Sequence, residues 1–311
     1  MQIAVVLLNW NAAADTLRCL KRLDQWRQMQ PHLYVIDNAS VDDSVEQLRA
    51  GLSELQMPAQ LIESAENRGF GGGVNLGIQA ALADGAAAIF LLNNDAQISE
   101  ADMLRLTQTL AHNAQIGVIG PLLYDSEQGA LQAAGGLNPV LHHRSRRLTY
   151  PPTPVFDVDY VIGAAALIRA ELFARIGLLD ERYFFSVEVA DFCMRARRAG
   201  YRCVVDSRAR AEHDLVRSSP LRGTLYIYYT VRNRLLFARQ CYGLAQWPLL
   251  AFWSLYSLAL IIKLWLAGQS AAARAAALGL LDAWRGRYGG QNERVMGGPI
   301  QPFPSTSSGN S

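Results

Sequence analysis

The chain has 311 residues, half of them hydrophobic, and a formal net charge of +2 at pH 7. This length suits one large α/β domain with an appendage. The high apolar content and nearly balanced charge argue against a disordered chain and against a nucleic-acid-binding tail, so no nucleic-acid partner is expected.

The cysteines and the first residues indicate the compartment. Four cysteines occur without a Cys-x-x-Cys pair, and a core of this size needs no disulfides, which favours a reducing cytosol. The opening MQIAVVLLNWN has neither a basic region nor a small-residue cleavage site, so we interpret it as a buried first strand. A cytoplasmic protein is therefore expected.

Short apolar runs alternate with amphipathic segments from Ile3 to Gly120, a pattern typical of βαβ units around a mostly parallel sheet. The predicted strands are Ile3–Leu8, Leu33–Asp37, Gln60–Glu63, Ala88–Leu92 and Ile116–Gly120. The predicted helices are Thr16–Leu23, Val41–Leu48, Val74–Ala83 and Ala101–Ala111. Ser40 and Asp43 resemble a capping pair that would start the second helix.

The alternation fades beyond Leu122. Val158–Arg169 is predicted to be a buried strand that passes a Gly-Ala-rich bend. Asp191–Ala199 is predicted to be an Arg-rich helix that ends at Gly200.

The C-terminal part contains a strongly apolar segment, Leu244–Leu266. Its uncharged run of roughly 16 residues is shorter than the roughly 20 that a membrane span needs. A membrane-surface or re-entrant helix is therefore expected here, within a helical region of residues 216–290 that would associate with the membrane. A helix that packs on the catalytic domain is the alternative. Residues 291–311 have few apolar side chains and are predicted to be disordered.

Polar residues follow three of the predicted strands. In open α/β sheets, ligands bind beyond the carboxyl ends of the strands. Here those positions are occupied by Asn9-Trp10-Asn11, Asp37-Asn38-Ala39-Ser40 and Asn93-Asn94-Asp95. Any one of them is compatible with an ordinary turn, but three at one edge favour a binding crevice.

A glycine-rich loop, Asn67–Asn75, follows the third strand and opens a helix. Backbone without side chains there is able to approach a phosphate or a sugar. The loop is not a dinucleotide fingerprint, because the first strand lacks the glycines, and no Gly-Lys-Ser/Thr marks a Walker A motif. The sequence therefore lacks the main motif that would identify a nicotinamide dehydrogenase or a P-loop phosphotransferase.

The motifs VVLLNWN, VIDNAS, ENRGFGGGVN, LLNNDA and YFFSVEVADFCMRARRAGY occur in this order along the chain. Together they resemble family 2 glycosyltransferases, in particular rhamnosyltransferase-like enzymes of cell-surface polysaccharide assembly. The resemblance covers roughly the first 215 residues and implies a GT-A type catalytic domain. Residues 1–120 would form its nucleotide-binding half and residues 121–215 its acceptor half.

The resemblance also implies a nucleotide site. Asp37 would accept a hydrogen bond from a pyrimidine ring N–H, and Asn9 and Asn11 would line the same pocket. The other residues assigned to nucleotide binding are Asn38, Asn67, Gly69, Gly71, Asn75 and Asn94.

A divalent metal site follows from the same resemblance. The family's Asp-x-Asp motif is Asn93-Asn94-Asp95 here, so Asp95 is the expected ligand of Mg²⁺ or Mn²⁺. His213 lies where the resemblance places a histidine that completes the site. The alternatives are that Asp95 caps a turn and that His213 is an ordinary polar residue. The nearby Arg217, Ser218 and Ser219 would suit phosphate oxygens and favour the functional role of His213.

The sequence departs from the family at the catalytic base. The family pattern Glu-Asp-x-Asp is Glu188-Val189-Ala190-Asp191 here, so valine occupies the usual position of the base. We rank Glu188 first as the replacement and Asp191 second, because Arg195 lies four residues after Asp191 and suggests a structural ion pair.

The expected function is an inverting transfer of a sugar from a pyrimidine-nucleotide diphosphate, such as dTDP-rhamnose, to a hydroxyl of a cell-surface glycan or lipid-linked acceptor. The enzyme would work at the inner face of the cytoplasmic membrane, in peripheral contact with it. The first alternative is a catalytically degenerate member that binds a nucleotide or a partner. A nucleotidyltransferase, for which Arg68 would hold a triphosphate, is the remote alternative.

Overall fold

The computed structural model describes residues 1–214 and 222–298 as a mixed ten-stranded sheet with helices on both faces. The strands are β1 Ile3–Asn9, β2 His32–Asp37, β3 Ala59–Glu63, β4 Ala88–Leu92, β5 Ala96–Ile98, β6 Ile116–Asp125, β7 Leu131–Ala133, β8 Val155–Asp157, β9 Ala165–Arg169 and β10 Arg202–His213. The strand order is β3-β2-β1-β4-β9-β6-β10-β5, with β7 on β6 and β8 on β10.

The helices of the first 214 residues are α1 Ala13–Leu23, α2 Ser44–Ser53, α3 Gly69–Ala83, α4 Glu100–His112, α5 Ala170–Ile176 and α6 Glu188–Arg198. Those of the C-terminal part are α7 Ile227–Cys241, α8 Gln246–Leu266, α9 Ser270–Arg285 and α10 Asn292–Met296. The predicted α/β fold with a mostly parallel sheet is confirmed. The predicted domain boundary at residue 215 lies outside the described residues and stays a prediction.

β1 shows why the central strands are continuous apolar runs. Ile3, Val5 and Leu7 pack into one core cluster. Ala4 and Val6 pack into a second cluster on the other face. Because both faces of these parallel strands are covered, the alternation of polar and apolar residues is lost.

The second half of the sheet differs from the sequence-based prediction. Val158–Arg169 is not one strand, because only Ala165–Arg169 forms a continuous strand, which runs antiparallel between β4 and β6. The chain bends before it, at Gly163, where an added Cβ would lie 2.8 Å from the Val189 side chain. β6 also continues to Asp125, because it pairs with β10 over this length.

Two local predictions are wrong. Ser40 does not cap α2, which begins at Ser44 after Asp43, because the Ser40 hydroxyl donates instead to Asp37. The tail is not disordered from Gln291, since Asn292–Met296 is helical. Val295 is buried against Tyr228 and Tyr229, and the Tyr229 hydroxyl donates to Asn292 at 2.6 Å. Residues 299–311 lie outside the described residues.

The glycines of α3 bring this helix close to its neighbours. A Cβ at Gly73 would lie 2.4 Å from Leu8, and a Cβ at Gly77 would lie 2.5 Å from Ile36. Gly69 has φ +69°, and a Cβ there would meet the carbonyl oxygen of Phe184 at 2.1 Å. The helix therefore packs tightly on the sheet and on the segment that precedes α6.

Gly69→Ala should destabilise the protein by at least about 2 kcal/mol, because both the positive φ and the Phe184 carbonyl oppose a Cβ. Gly71→Ala is the matched control, since its nearest neighbours lie 3.7 Å away. This helical substitution should change stability by no more than about 1 kcal/mol. Urea unfolding measures both, and equal stability of the two variants would contradict the packing account.

Candidate active site

A chain of hydrogen bonds joins the carboxyl ends of β1, β2 and β4. The Asn94 amide donates to the Thr16 hydroxyl at 3.0 Å, and this hydroxyl donates to Asn9 Oδ1 at 2.8 Å. Asn9 Nδ2 then donates to Asp37 Oδ1 at 2.8 Å. Ser40 completes the chain by donating its hydroxyl to the same carboxylate oxygen at 2.6 Å. The three polar segments predicted from the sequence thus meet at one edge.

Asn11 is held at this edge by its neighbours in the second polar segment. Its backbone N–H donates to the Ser40 hydroxyl at 2.8 Å, and its side-chain oxygen accepts from the Val41 N–H at 2.8 Å. Its φ of +51° is compatible with asparagine, which tolerates the left-handed region.

Asn38 fixes the glycine-rich loop. Its Nδ2 donates to Asn67 Oδ1 at 3.1 Å and to the Gly69 carbonyl at 3.2 Å, while its Oδ1 accepts from the Arg68 N–H at 3.0 Å. The loop is therefore locked to the end of β2.

The start of α3 is less open than the glycine-rich sequence suggests. The Gly69 N–H donates to Asn67 Oδ1, and the Phe70 N–H donates to the Phe184 carbonyl. Asn75 is buried and exchanges hydrogen bonds with the backbone of Leu179 at 2.9 and 3.2 Å. Asn75 thus anchors α3 on the chain before α6, which argues against its assignment to nucleotide binding.

Asp95 and His213 lie together at the ends of β4 and β10. Asp95 Oδ1 and His213 Nε2 are 3.2 Å apart, and both atoms are buried without a properly aligned hydrogen-bond partner. The Asp214 N–H donates to the Asp95 carbonyl at 3.0 Å, which fixes the two strand ends to each other. The close pair of unsatisfied ligand atoms is the arrangement that a divalent cation would satisfy.

The surroundings of Asp95 and His213 test the capping alternative for Asp95 and show which other side chains could join a metal site. No cluster of three His, Cys, Asp or Glu side chains with metal-ligand spacing occurs in residues 1–214 and 222–298. The capping alternative for Asp95 is wrong, because Ser99 accepts from the Asp102 N–H at the start of α4. Arg217, Ser218 and Ser219 lie outside the described residues.

The segment that leads into α6 is strained and held from α7. Phe184, Ser186 and Val187 have φ of +62°, +70° and +76°, which costs about 1–3 kcal/mol for each such residue. Asn233 Nδ2 contacts the carbonyls of Tyr183, Phe185 and Ser186 at 2.7–2.9 Å. No local sequence pattern predicts this support, because Asn233 lies 47–50 residues from the carbonyls that it contacts.

Arg232, next to Asn233, adds to the same support. Its guanidinium is fully buried and donates to the carbonyls of Arg182, Tyr183 and Gly289 at 2.6–3.0 Å. The α7 helix therefore determines the backbone path immediately before Glu188.

Glu188 is the first residue of α6 and lies beside the glycine-rich loop. Its side chain is 6% exposed, and Oε2 is buried without a hydrogen-bond partner. Burial, with a smaller contribution from the negative charge of Asp191, raises the pKa of Glu188 from its ordinary value of 4.5 to about 7. The Glu188 Cβ and Cγ lie 3.7 Å from the position of a Cβ on Gly71.

The neighbours of Glu188 on α6 have structural contacts. The predicted ion pair of Asp191 is confirmed, with Arg195 Nε at 2.8 Å from Asp191 Oδ2. Val189 is buried against Gly163 and belongs to the core. Glu188 is thus the carboxylate of this segment whose oxygen remains unsatisfied, while Asp191 is already paired.

Sequence reasoning also missed Thr16 and Gln132. Thr16 was predicted as the start of a helix, but α1 begins at Ala13 and leaves the buried Thr16 hydroxyl facing Asn9. Gln132 donates to the His213 carbonyl at 2.8 Å and to Asp125 at 3.0 Å. Neither residue lies in a recognisable motif, so only the folded chain identifies them.

The chain is similar to a known protein family and to several known proteins. The model of the family "Glycosyl transferase family 2" matches residues 4–177. The chain is 26% identical over 256 residues to a low-salt glycan biosynthesis hexosyltransferase of Haloferax volcanii, covering 78% of this chain and 76% of that protein. It is 22% identical to the dTDP-rhamnosyl transferase RfbF of Shigella flexneri, covering 76% and 80%.

A third relative is the N-acetylglucosaminyl-diphospho-decaprenol L-rhamnosyltransferase of Mycobacterium tuberculosis, 23% identical with 70% and 77% coverage. Among solved structures, a Pyrobaculum calidifontis mannosyltransferase in complex with GDP-Man and Mn²⁺ matches with TM-score 0.60 and 13% identity, covering 90% and 87%. Staphylococcus aureus TarS with UDP-GlcNAc matches with TM-score 0.59 and 13% identity, covering 97% and 93%. These structures show the same fold.

Glu188→Gln should stabilise the protein relative to the wild type as the pH rises from 5 to 8. Because the folded state raises the pKa of Glu188 from 4.5 to about 7, folding is disfavoured as pH rises through this interval. The free energy of unfolding of the variant should exceed that of the wild type by roughly 2–3 kcal/mol at pH 8, and by less at pH 5. Urea unfolding at both pH values measures it, with the exposed Glu54→Gln as control. A gain that does not grow with pH would contradict the burial effect.

Proposed function

The chain belongs to glycosyltransferase family 2, and we propose that it transfers a sugar with inversion from a pyrimidine-nucleotide diphosphate to a hydroxyl of a cell-surface glycan or lipid-linked acceptor. The observation that carries this proposal is the buried, unsatisfied Asp95–His213 pair. It lies at the same sheet edge as the hydrogen-bond chain that ends in Asp37. A nucleotide base at one end and a diphosphate at the other would span this edge.

Asp37 is the proposed partner of the base. Its Oδ2 accepts one hydrogen bond, from the Ser40 N–H at 2.9 Å, which leaves a second lone pair for a pyrimidine N–H. Asn9 and Asn11 hold this segment in place, and Asn94 extends it towards the diphosphate. We take dTDP-rhamnose as the first candidate donor, because two similar proteins carry rhamnosyltransferase names.

Asp95 and His213 would hold Mg²⁺ or Mn²⁺. The Mn²⁺ in the similar mannosyltransferase supports a divalent cation here. Such a cation acts as a Lewis acid that stabilises the negative charge of the leaving diphosphate.

Glu188 is the proposed base of the transfer. It would accept the proton of the acceptor hydroxyl on Oε2, while the hydroxyl oxygen bonds to the anomeric carbon and the bond to the diphosphate breaks on the opposite face. A pKa of about 7 leaves a useful fraction of Glu188 ionised at neutral pH and makes it a stronger base than an exposed glutamate. The α7 contacts would hold this carboxylate in position.

The alternative is a family member that binds a nucleotide without turnover, and Val189 at the usual position of the base is the observation that favours it. A panel of nucleotide sugars, assayed with Mn²⁺ for release of the nucleoside diphosphate, separates the two. The proposed function predicts release from a pyrimidine-nucleotide sugar. Binding without release across the whole panel would support the alternative.

Asp95→Ala should abolish the Mn²⁺-dependent part of dTDP binding and leave the fold intact, because Asp95 lies at a strand end outside the core. Isothermal titration with and without Mn²⁺ measures this effect. The exposed Glu46→Ala on α2 is the control for loss of one carboxylate and should bind like the wild type. Unchanged Mn²⁺-dependent affinity in Asp95→Ala would contradict the metal assignment.

α8 supports contact with a membrane. It is the one helix in the described part of the chain that is long and apolar enough to cross a membrane, with a mean hydropathy of 1.9 and 17% of its most apolar window buried. Leu250, Trp253 and Ser257 face the protein, whereas most of its other side chains are apolar and exposed. A core helix would be mostly buried, so we infer that this face meets lipid at the inner surface of the cytoplasmic membrane.

The protein should co-sediment with phosphatidylglycerol vesicles, and a triple substitution of Trp247, Leu255 and Trp265 by serine should release it. These three side chains are 60–68% exposed, so their loss should leave the fold unchanged. Replacing the three exposed alanines Ala251, Ala259 and Ala267 by serine is the control, because it adds the same hydroxyls and removes little apolar surface. Equal sedimentation of both triple variants would argue against lipid contact.

A further inference from the structure

A cavity of about 630 Å³ lies between α7, α8 and the segment 139–148. Ser186 and Val187, which directly precede Glu188, form part of its wall. The cavity is therefore adjacent to the proposed base, on the side of the acceptor half of the chain.

The wall of this cavity is cationic. Arg144, Arg146, Arg234 and His143 line it, and none of the described residues around it is an aspartate or glutamate. Arg144 and Arg146 are exposed and make no ion pair within the described ranges. An anionic group entering the cavity would therefore meet three arginines whose charge the protein leaves uncompensated.

Arg234 is the informative member of this set. Its guanidinium lies 3.9 Å over the Trp253 ring and donates to the His143 carbonyl at 3.3 Å. Burial lowers its pKa, and the neighbours that oppose this effect are tyrosines rather than carboxylates. A partly desolvated guanidinium without an ionic partner costs stability, which an anionic ligand would recover.

Two buried polar atoms in the wall also lack partners. Gln132 is 8% exposed, and its Oε1 atom has no hydrogen-bond partner. The Oγ1 atom of Thr230 is also buried without a hydrogen-bond partner. Because Gln132 donates to the His213 carbonyl, the cavity begins next to the proposed metal site. An acceptor sugar hydroxyl at Gln132 would satisfy the free oxygen.

The opposite wall is apolar and belongs to α8. Trp253, Tyr256 and Leu260 line the cavity, while Leu258 and Ile262 on the same helix are exposed. The cavity wall is thus continuous along α8 with the surface that we assign to the membrane. A ligand with an apolar chain, a phosphate group and a sugar would match the three parts of the cavity in this order.

We propose that this cavity binds a lipid-linked acceptor through its diphosphate, with Arg144, Arg146 and Arg234 on the phosphate oxygens. The lipid chain leaves along α8, and the acceptor sugar lies between Gln132 and Glu188. This assignment rests on the proposed function, because it supplies the acceptor of that transfer.

The test is equilibrium binding of radiolabelled farnesyl diphosphate in neutral detergent. Arg234→Gln and Arg144→Gln should each weaken binding by about tenfold, as expected for loss of a charge-assisted hydrogen bond. Arg285→Gln, an exposed arginine on α9, should bind like the wild type. Arg144 is exposed, so its variant tests the proposal even if Arg234→Gln fails to fold.

Competitors identify the source of the phosphate. Farnesyl diphosphate should displace the label at lower concentration than inorganic pyrophosphate or farnesol, because both parts of the ligand contribute. Equal displacement by phosphatidylglycerol would overturn the acceptor assignment in favour of a phospholipid headgroup. Wild-type affinity in both cavity variants would also overturn it.

Binding of dTDP with Mn²⁺ is measured on the same samples. Loss of farnesyl diphosphate binding with retained dTDP binding supports the cavity assignment. Absence of dTDP binding in the wild-type protein would count against the proposed function, whatever the cavity binds. The two failures are therefore distinguishable.

Discussion

The candidate site depends on the need of buried polar side chains to satisfy one another at the carboxyl edge of the sheet. Asn9, Asp37 and Thr16 are each at most 2% exposed, so a missing partner would cost roughly 1–3 kcal/mol. Their hydrogen-bond chain fixes the ends of β1 and β2 relative to Asn94 after β4. The neighbouring Asp95 is thereby set at a defined place, where β10 brings His213.

A second constraint acts from the C-terminal helices. Asn233 and Arg232 on α7 hold the carbonyls of the strained segment 182–186, which positions Glu188 beside the glycine-rich loop. The C-terminal part therefore contributes to the site in addition to presenting an apolar surface. Through α7 and α8, the same helices connect the proposed base, the cationic cavity and the exposed apolar surface of α8.

The features that the sequence predicted are those with a local signal. β1, β2 and β4 are apolar runs buried on both faces, and the polar residues after them follow from strand order. The contacts of Asn233 were not predictable, because this residue of α7 donates to the carbonyls of Tyr183 and Ser186, which lie 50 and 47 residues earlier in the chain. Gln132 was missed for the same reason, since its partner His213 lies 81 residues away.

The glycine-rich loop shows how one pattern supports two interpretations. Its glycines suggested an open phosphate cradle, but Gly69 and Gly73 lie against Phe184 and Leu8. Both uses require the absence of a Cβ, and sequence alone does not separate them. Only Gly71 leaves ordinary space, towards Glu188, and this places the proposed base within reach of the loop.

The pH dependence of turnover tests the central claim most directly, namely that the buried Glu188 has replaced the usual base. We expect kcat of the wild type to rise with pH through about 7, as Glu188 loses its proton. Glu188→Gln should lower kcat by roughly a hundredfold or more and remove this inflection, with little change in donor binding. Full activity of Glu188→Gln with the same pH profile as the wild type would contradict it.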